Sequence, residues 1–333
     1  MRNSLRALFA LVIFSSTLIP TAANAAPNLI EVQGRVRDLQ EQAATAAEGA
    51  QDAKVQLAKL KRTLDSVQQQ ATQQGASVDQ MHKIIGAIAA EQYKSGPLSQ
   101  SLELLFSSDP ALYLSAAGTL EAVTRKKSEE LKKFSVATQR LNATTFTVTD
   151  KLALVRAAEA KFTKQLAIAN GKLQEAEDLL AKLTAAERER LAKLNEDQEN
   201  ADQESSLADA GKYATVGGRG GVAIKYALAQ IGDKYVFGAD GLTYWDCSGL
   251  TMRAFQAAGV SLPHSSRAQY NYGKSIARKD LLPGDLVFFG KPISHVAIYL
   301  GGNRMLHAPH TGARVKIAEF DLGKKPYIGA RRL

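Results

Sequence analysis

One cysteine and two histidines are the side chains most suited to covalent chemistry in this sequence. Cys247 is the single cysteine of the 333-residue chain. It stands just before a helical pattern, Thr251 to Ala258, within Asp246-Cys247-Ser248-Gly249-Leu250. The N-terminus of a helix stabilises a thiolate and so lowers the pKa of a thiol placed there. A thiolate attacks acyl carbons when a base and an orienting group stand near it. The position therefore favours a nucleophile, with a buried inert cysteine as the alternative.

His295 and His307 are the candidates for the base and the group that orients it. They lie on consecutive predicted strands, and Gly301-Gly302-Asn303 between them is typical of a hairpin turn. Adjacent antiparallel strands bring the two imidazoles together, which predicts a Cys247–His295–His307 set. With His310, the same histidines also suggest a metal site, but the ligand spacing of common zinc motifs is missing. We therefore expect neither a metal nor another cofactor.

These residues fall in a part of the chain whose composition differs from the rest. Residues 26–210 carry 23 basic and 26 acidic side chains, whereas residues 211–333 carry 17 and 7, a net charge of +10. Fourteen of the 22 aromatic residues lie from Tyr213 onward. The change predicts a polar linker at 206–220 and a compact α+β domain at 221–333.

The first 25 residues have the order of a secretory signal. Arg2 and Arg6 precede an apolar run from Ala7 to Ile19, and Ala23-Asn24-Ala25 follows. We expect cleavage near Ala25 and an extracytoplasmic protein, with an uncleaved anchor as the alternative. The overall charge of +9 does not indicate nucleic-acid binding, because the protein is expected to be exported and the middle of the chain is slightly acidic.

The middle of the chain, residues 26–205, predicts a long coiled coil. Apolar side chains recur at alternating three- and four-residue spacing from Val32 to Ala71 and again from Leu152 to Leu194. No proline interrupts either run, so each is expected to form one continuous helix. Residues 82–122 hold larger apolar groups and two prolines, which predicts short helices at the tip of an antiparallel hairpin. That tip is a docking site in one interpretation and a mere end of a spacer in the other.

Five ordered segments of residues 221–333 resemble the NlpC/p60 family of papain-like cysteine peptidases. They are Lys234 to Gly238, Asp246 to Leu250, Leu262 to Gln269, Leu282 to Phe289 and Ser294 to Gly301. The resemblance implies an α+β papain-like fold and cleavage of amide bonds in peptidoglycan stem peptides, commonly between D-iso-glutamate and a diamino acid. It also implies that Cys247 is the nucleophile, His295 the base and His307 the residue that orients it.

The same resemblance implies a substrate-binding set in the cleft. The hydroxyl of Tyr235 would help to stabilise the oxyanion, and Asp246, Ser248 and Arg267 would line the cleft. The alternatives are structural: a helix N-cap for Asp246 and an internal ion pair for Arg267. His264 and His310 are expected to be bystanders.

A coiled coil joined to this peptidase domain is similar to the Rip-type peptidoglycan hydrolases of actinobacteria. That similarity implies cell-wall association, a role in wall remodelling and daughter-cell separation, and autoinhibition by the coil. It further implies an activator at the septal membrane, a complex of the FtsEX type that binds the coil. A non-enzymatic adaptor or hydrolase activator that only binds cell wall is the alternative.

Overall fold

The computed structural model describes residues 28–95 and 110–333. The predicted signal peptide, residues 1–25, and the middle of the predicted tip lie outside the described residues. Within the described ranges, no helix has an apolar stretch long enough to cross a membrane.

Two long helices, α1 (Leu29–Ser95) and α2 (Pro110–Ala181), run antiparallel to each other. Lys61 of α1 forms a 2.8 Å ion pair with Glu159 of α2, and His82 packs 6.1 Å from Phe134 between ring centroids. The contact side of α1 is made of the predicted apolar positions, among them Val36, Leu39, Ala43, Ala46, Ala50, Ala53 and Leu64, all buried. This confirms the predicted N-terminal region of long helices.

The second predicted helix does not continue to Leu194. It ends at Ala181, and a new helix, α3 (Ala185–Tyr213), begins after a short break. The hydroxyl of Thr184 accepts the backbone N–H of Glu187, whose carboxylate accepts the N–H of Thr184 in return. This reciprocal pair is a capping box, which starts a helix even where the apolar spacing continues.

Helix α3 extends through much of the stretch predicted to be a linker and lies against the C-terminal domain. Ser206, fully buried, accepts the backbone N–H of Ile317 at 3.0 Å, and Asp202 binds Lys316 at 2.6 Å. Only residues 214–217 separate α3 from the next helix. Residues 206–220 are therefore mostly helical, because Ser206 gives a hydrogen-bond partner to an edge strand.

The C-terminal domain consists of three helices and two sheets. The helices are α4 (Gly218–Leu228), α5 (Cys247–Ala257) and the short α6 (Ser266–Gln269). Strands β1 (Lys234–Tyr235) and β2 (Tyr244–Trp245) form a parallel pair. The main sheet is antiparallel in the order β3-β8-β4-β5-β6-β7, and a 3₁₀ turn (Arg278–Asp280) precedes β4. Its strands are β3 (Lys274–Ile276), β4 (Leu286–Phe289), β5 (His295–Gly301), β6 (Arg304–His307), β7 (Lys316–Glu319) and β8 (Tyr327–Arg332).

The two faces of the main sheet have separate apolar clusters. Alternate residues such as Phe288, Ile298 and Leu306 join the core that includes Trp245 and Phe255. The residues between them join an aromatic cluster that includes Phe289, Met305 and Phe320. The period of two along β4, β5 and β6 fixes the register and thereby the position of the histidines at the strand ends.

One segment of α1 lies between α2 and the C-terminal domain. Residues 43–53 are buried almost without interruption, and Ala44 is part of the core of the C-terminal domain. Ala46 and Ala47 form one apolar cluster with Ala169 of α2, and Phe237 of the domain packs against it. Small side chains permit this close approach on two sides of α1, which places α1 directly over the N-terminal end of α5.

Candidate active site

Cys247 is the first residue of α5, as the sequence predicts. Its N-cap is Asp246, whose carboxylate accepts the backbone N–H of Gly249 at 2.6 Å. The backbone N–H of Val296, in β5, donates a hydrogen bond to the Cys247 sulfur. The start of β5 therefore lies beside the thiol.

His295 and His307 form a hydrogen-bonded pair next to this cysteine. His295 opens β5 and His307 closes β6, and the pairing of Ile298 with Leu306 brings the strand ends together. The Nε2 atom of His295 lies 2.9 Å from Nδ1 of His307, with the rings nearly perpendicular. That contact engages Nε2 of His295, so Nδ1 is the ring nitrogen that remains to act as a base.

Both imidazoles are held in their neutral form at neutral pH. Burial, followed by the neighbouring His307, lowers the pKa of His295 well below its usual range. Burial and the positive charge of Lys316 lower the pKa of His307 to about 3. A neutral imidazole is the protonation state that a general base requires.

A carboxylate from α1 occupies the site. Glu48 is 3% exposed, and its Oε1 lies 3.3 Å from the sulfur of Cys247 and accepts the hydroxyl of Ser248. Its Oε2 accepts both the backbone N–H of Ser266 at 2.9 Å and the Ser266 hydroxyl at 2.8 Å. Burial, and then the nearby charge of Asp246, raises the pKa of Glu48. All these donors are neutral, so within the described residues Glu48 is held by hydrogen bonds rather than by an ion pair.

This arrangement reverses the pKa shift that the sequence predicts for the thiol. Burial raises the pKa of Cys247 well above its usual value, and the carboxylates of Glu48 and Asp246 add to the rise. Both effects disfavour a thiolate. They outweigh the helix N-terminus in the form with Glu48 bound.

The residues predicted to bind substrate also lie around the thiol. Tyr235 is buried, and burial and its proximity to Cys247 raise the pKa of its hydroxyl. Ser248 contacts Glu48, as described above. Arg267 donates to Asp52 of α1 at 3.1 Å and to the carbonyl of Ile293. The structural alternative for Arg267, an ion pair, is present, but its partner is in the helical hairpin.

Asp246 has several structural partners, as the alternative interpretation anticipates. Besides capping α5, its carboxylate accepts the backbone N–H of Gly238 at 2.9 Å and lies 2.8 Å from Nε2 of His264. Burial is the largest single influence on the pKa of His264 and lowers it, but the hydrogen bond with Asp246 and the nearby carboxylate charges together raise that pKa above its usual value. His264 is thus a direct partner of Asp246 rather than a bystander.

His310 lies apart from the histidine pair in its hydrogen bonding. Its Nδ1 contacts the backbone carbonyl of Thr311 at 2.9 Å. Among the described residues, no three His, Cys, Asp or Glu side chains are arranged to hold a metal ion.

Sequence reasoning did not identify Glu48 or Ser266 as parts of this site. Glu48 lies in an alanine-rich stretch where the neighbouring residues Gln51 and Asp52 are also buried. The signal available in the sequence was this cluster of polar residues beside the apolar positions. The apolar spacing alone does not say that a second face of α1 is covered.

A cysteine at a helix N-terminus, beside two histidines on neighbouring antiparallel strands, is the arrangement of a thiol-dependent acyl-transfer site. Residues 232–332 match the NlpC/P60 family model, and the C-terminal domain is a member of that family. The helical region followed by this sheet-containing domain confirms the predicted fold class.

Related proteins share this domain but differ in the rest of their length. A probable endopeptidase of Mycobacterium tuberculosis is 40% identical over 116 residues, which cover 35% of this chain and 30% of the relative. The peptidoglycan endopeptidase RipA of the same organism is 37% identical over 120 residues, covering 32% of this chain and 25% of RipA. The chain thus spans less than a third of these relatives. The crystal structure of the P60 domain of a Mycobacterium avium subspecies paratuberculosis antigen is 31% identical, with 34% of this chain and 93% of that chain covered and a TM-score of 0.31.

Proposed function

We propose that this protein is a secreted peptidoglycan endopeptidase whose active site is closed by its own helical hairpin. The observation that carries the proposal is the buried, hydrogen-bonded His295–His307 pair, on the sheet that packs beside the helix opened by Cys247, within an NlpC/P60 domain. The relatives named as endopeptidases, one of them a peptidoglycan endopeptidase, support the substrate class. The bond cleaved is the amide between D-iso-glutamate and a diamino acid.

The reaction is acyl transfer to water. Nδ1 of His295 takes the proton of Cys247, and the sulfur bonds to the carbonyl carbon of the substrate. The backbone N–H of Cys247 and the hydroxyl of Tyr235 stabilise the oxyanion. As the carbon–nitrogen bond breaks, His295 returns the proton to the leaving amine. A water molecule, deprotonated by His295, then hydrolyses the thioester and regenerates the thiol.

His307 acts through His295. Its hydrogen bond to Nε2 holds the imidazole with Nδ1 toward the thiol and stabilises the positive ring that forms after proton transfer. Ser248 and Arg267 are assigned to substrate binding, and Asp246 supports both the helix start and the cleft.

Glu48 explains how the hairpin would keep the enzyme inactive. Its carboxylate takes the place of substrate against Cys247, Ser248 and Ser266. It also raises the pKa of the thiol, so the nucleophile is both covered and protonated. We call this arrangement the closed form. An activator that binds the hairpin, in the manner of a septal membrane complex of the FtsEX type, would open it during daughter-cell separation.

The decisive experiment compares four full-length proteins: the parent, Glu48→Ala, Glu48→Ala with Cys247→Ala, and an Asp65→Asn control on the exposed side of α1. Each is incubated with defined muropeptides, and the products are identified by mass spectrometry. We expect products from Glu48→Ala, little from the parent and the control, and none from the double variant. Equal products with and without Cys247 would exclude it as the nucleophile. No product from Glu48→Ala, with its thiol shown to be accessible, would favour the non-enzymatic adaptor.

A further inference from the structure

Acidic side chains of α1 face cationic side chains of the C-terminal domain on both sides of Cys247. Asp38, Glu41, Glu48 and Asp52 follow steps of three, seven and four residues, so they share one face of the helix. We call these four residues the acidic stripe. Glu48 contacts the thiol, while the others pair with lysines and an arginine of the domain.

The pairs on the two sides differ in their surroundings. Asp52, with a side chain 5% exposed, accepts from Arg267 at 3.1 Å. On the other side, Glu41 lies 3.3 Å from Nζ of Lys325, whose side chain is only 13% exposed. Asp38 pairs with Lys324, which is 80% exposed and therefore points largely to solvent.

The sheet places Lys325 on the histidine side of the site. Tyr327 of β8 pairs with Phe289 of β4, which in turn pairs with His295 of β5, so the three residues form a row across the sheet. Lys325 precedes this row by two residues, and the carbonyl of Pro326 accepts the backbone N–H of Gly290 at the end of β4. The positive charge of Lys325 is one of the causes that lower the pKa values of both His295 and His307.

A cavity of about 510 Å³ lies beside these pairs, enclosed by α1, α2 and the C-terminal domain. Arg267, Lys324 and Lys325 line it on the domain side, and Asp38 and Glu41 line it on the α1 side. When α1 leaves, these cations lose their carboxylate partners while the cavity opens to substrate. Cations that are left unpaired in a partly buried site favour a ligand that supplies carboxylates again.

The chemistry of the proposed reaction indicates which half of the substrate lies on which side of Cys247. His295 gives its proton to the leaving amine, so the leaving half of the substrate must lie on the histidine side. Resting on the proposed function, we infer that Lys325 is a specificity-determining residue that binds a carboxylate of the residue carrying the leaving amine. In the closed form Glu41 stands in for that carboxylate. The preferred substrates are therefore peptides with a free carboxylate just after the cleaved bond.

The test uses two synthetic stem-peptide fragments that differ only at this residue, with either a free carboxylate or a carboxamide. The full-length Glu48→Ala protein is expected to cleave the carboxylate peptide with a kcat/KM about tenfold higher, the usual effect of a charge-assisted hydrogen bond. Lys325→Met should remove that preference, so that the two peptides are cleaved with equal kcat/KM, and Lys325→Arg should restore most of it. Lys274→Met, at an exposed position of the edge strand β3, is the control and should keep the preference.

Binding to the full-length Glu48→Ala/Cys247→Ala protein, measured by calorimetry with the same peptides, separates this inference from the proposed function. One possible result is that Lys325→Met selectively loses binding of the carboxylate peptide, while no variant with an intact active site cleaves either peptide. That result would support the role of Lys325 and contradict the proposed endopeptidase activity. Equal weakening of both peptides, or no discrimination by the parent, would overturn the role of Lys325 whether or not cleavage occurs.

Discussion

The carboxylate of Glu48 lies 3.3 Å from the sulfur of Cys247, although 199 positions separate the two residues in the chain. It is held there by the hydroxyl of Ser248 and by the N–H and hydroxyl of Ser266. This contact joins the helical hairpin to the chemistry of the C-terminal domain.

Removing the carboxylate is expected to uncover the thiol. Hydrogen bonds to a charged group contribute about 1.5–3 kcal/mol each, so losing one such contribution in Glu48→Ala shifts the closed form by about 10–100-fold toward an open one. Cys247 is the only cysteine, so its rate of alkylation by a thiol reagent reports opening directly. The Asp65→Asn protein should react as slowly as the parent. An unchanged alkylation rate in Glu48→Ala would show that Glu48 does not hold the closed form.

Closure is expected to weaken as the pH rises. The pKa of Glu48 is raised in the closed form by burial and by Asp246, so protonation favours closure. Closure is therefore most stable below the usual carboxyl pKa and is lost progressively as the pH rises through the raised pKa. Glutamine mimics the protonated state. The rate of Cys247 alkylation is measured in the parent and in Glu48→Gln, and dividing the first rate by the second cancels the titration of the thiol. This ratio should rise with pH. A constant ratio would contradict the prediction.

Ion pairs at the interface should contribute unequally to closure. Asp52 is buried between Lys161 and Arg267, whereas Asp38 pairs with an exposed lysine. Asp52→Asn removes the buried carboxylate that pairs with Arg267 and should speed alkylation of Cys247 severalfold. Asp38→Asn removes a surface pair that contributes about 0–1 kcal/mol and should change the rate little. Equal effects of the two substitutions would argue against the burial of Asp52 as the cause.

The histidine pair should separate into a base and a positioning residue. In the Glu48→Ala protein, His295→Ala should abolish cleavage, since it removes the proposed general base. His307→Ala should lower kcat about 10–100-fold with little change in KM, because the ring is misoriented rather than lost. His307→Asn or Gln, which can keep a hydrogen bond to Nε2 of His295, should recover part of kcat. Equal losses for all three His307 variants would reject the positioning role.

The boundary of the smallest stable peptidase should lie before α3. A fragment beginning at residue 211 loses Ser206, whose hydroxyl accepts the N–H of Ile317, and Asp202, which pairs with Lys316. Because the strand edge is then left uncovered, we expect residues 211–333 to unfold with a free energy about 1–3 kcal/mol below that of residues 185–333. Urea unfolding of both fragments measures the difference. Equal stability would show that α3 is dispensable for the domain.

Local sequence patterns were enough to predict the long helices and the strands that carry the histidines. The spacing of Val36, Leu39 and Ala43 reports a buried helix face, and the alternation in β5 reports a buried sheet, because both depend on neighbours in the chain. The break at Thr184 was missed because apolar spacing continues across it, although its capping box is a local signal. The packing of residues 206–213 against the C-terminal domain could not be predicted, because Ser206 is fixed by a strand more than a hundred residues away.

The sequence by itself determined the nucleophile candidate, its two histidines and the family of the C-terminal domain, since these follow from residue types at short spacing. Only the tertiary structure decided that Glu48 lies against Cys247, that the thiol pKa is raised rather than lowered, and that Lys325 stands beside the histidines. A helical pattern specifies which face of α1 is apolar, but it does not specify what the other faces meet. Those contacts depend on how the hairpin packs on the sheet, and the electrostatics of the site depend on those contacts.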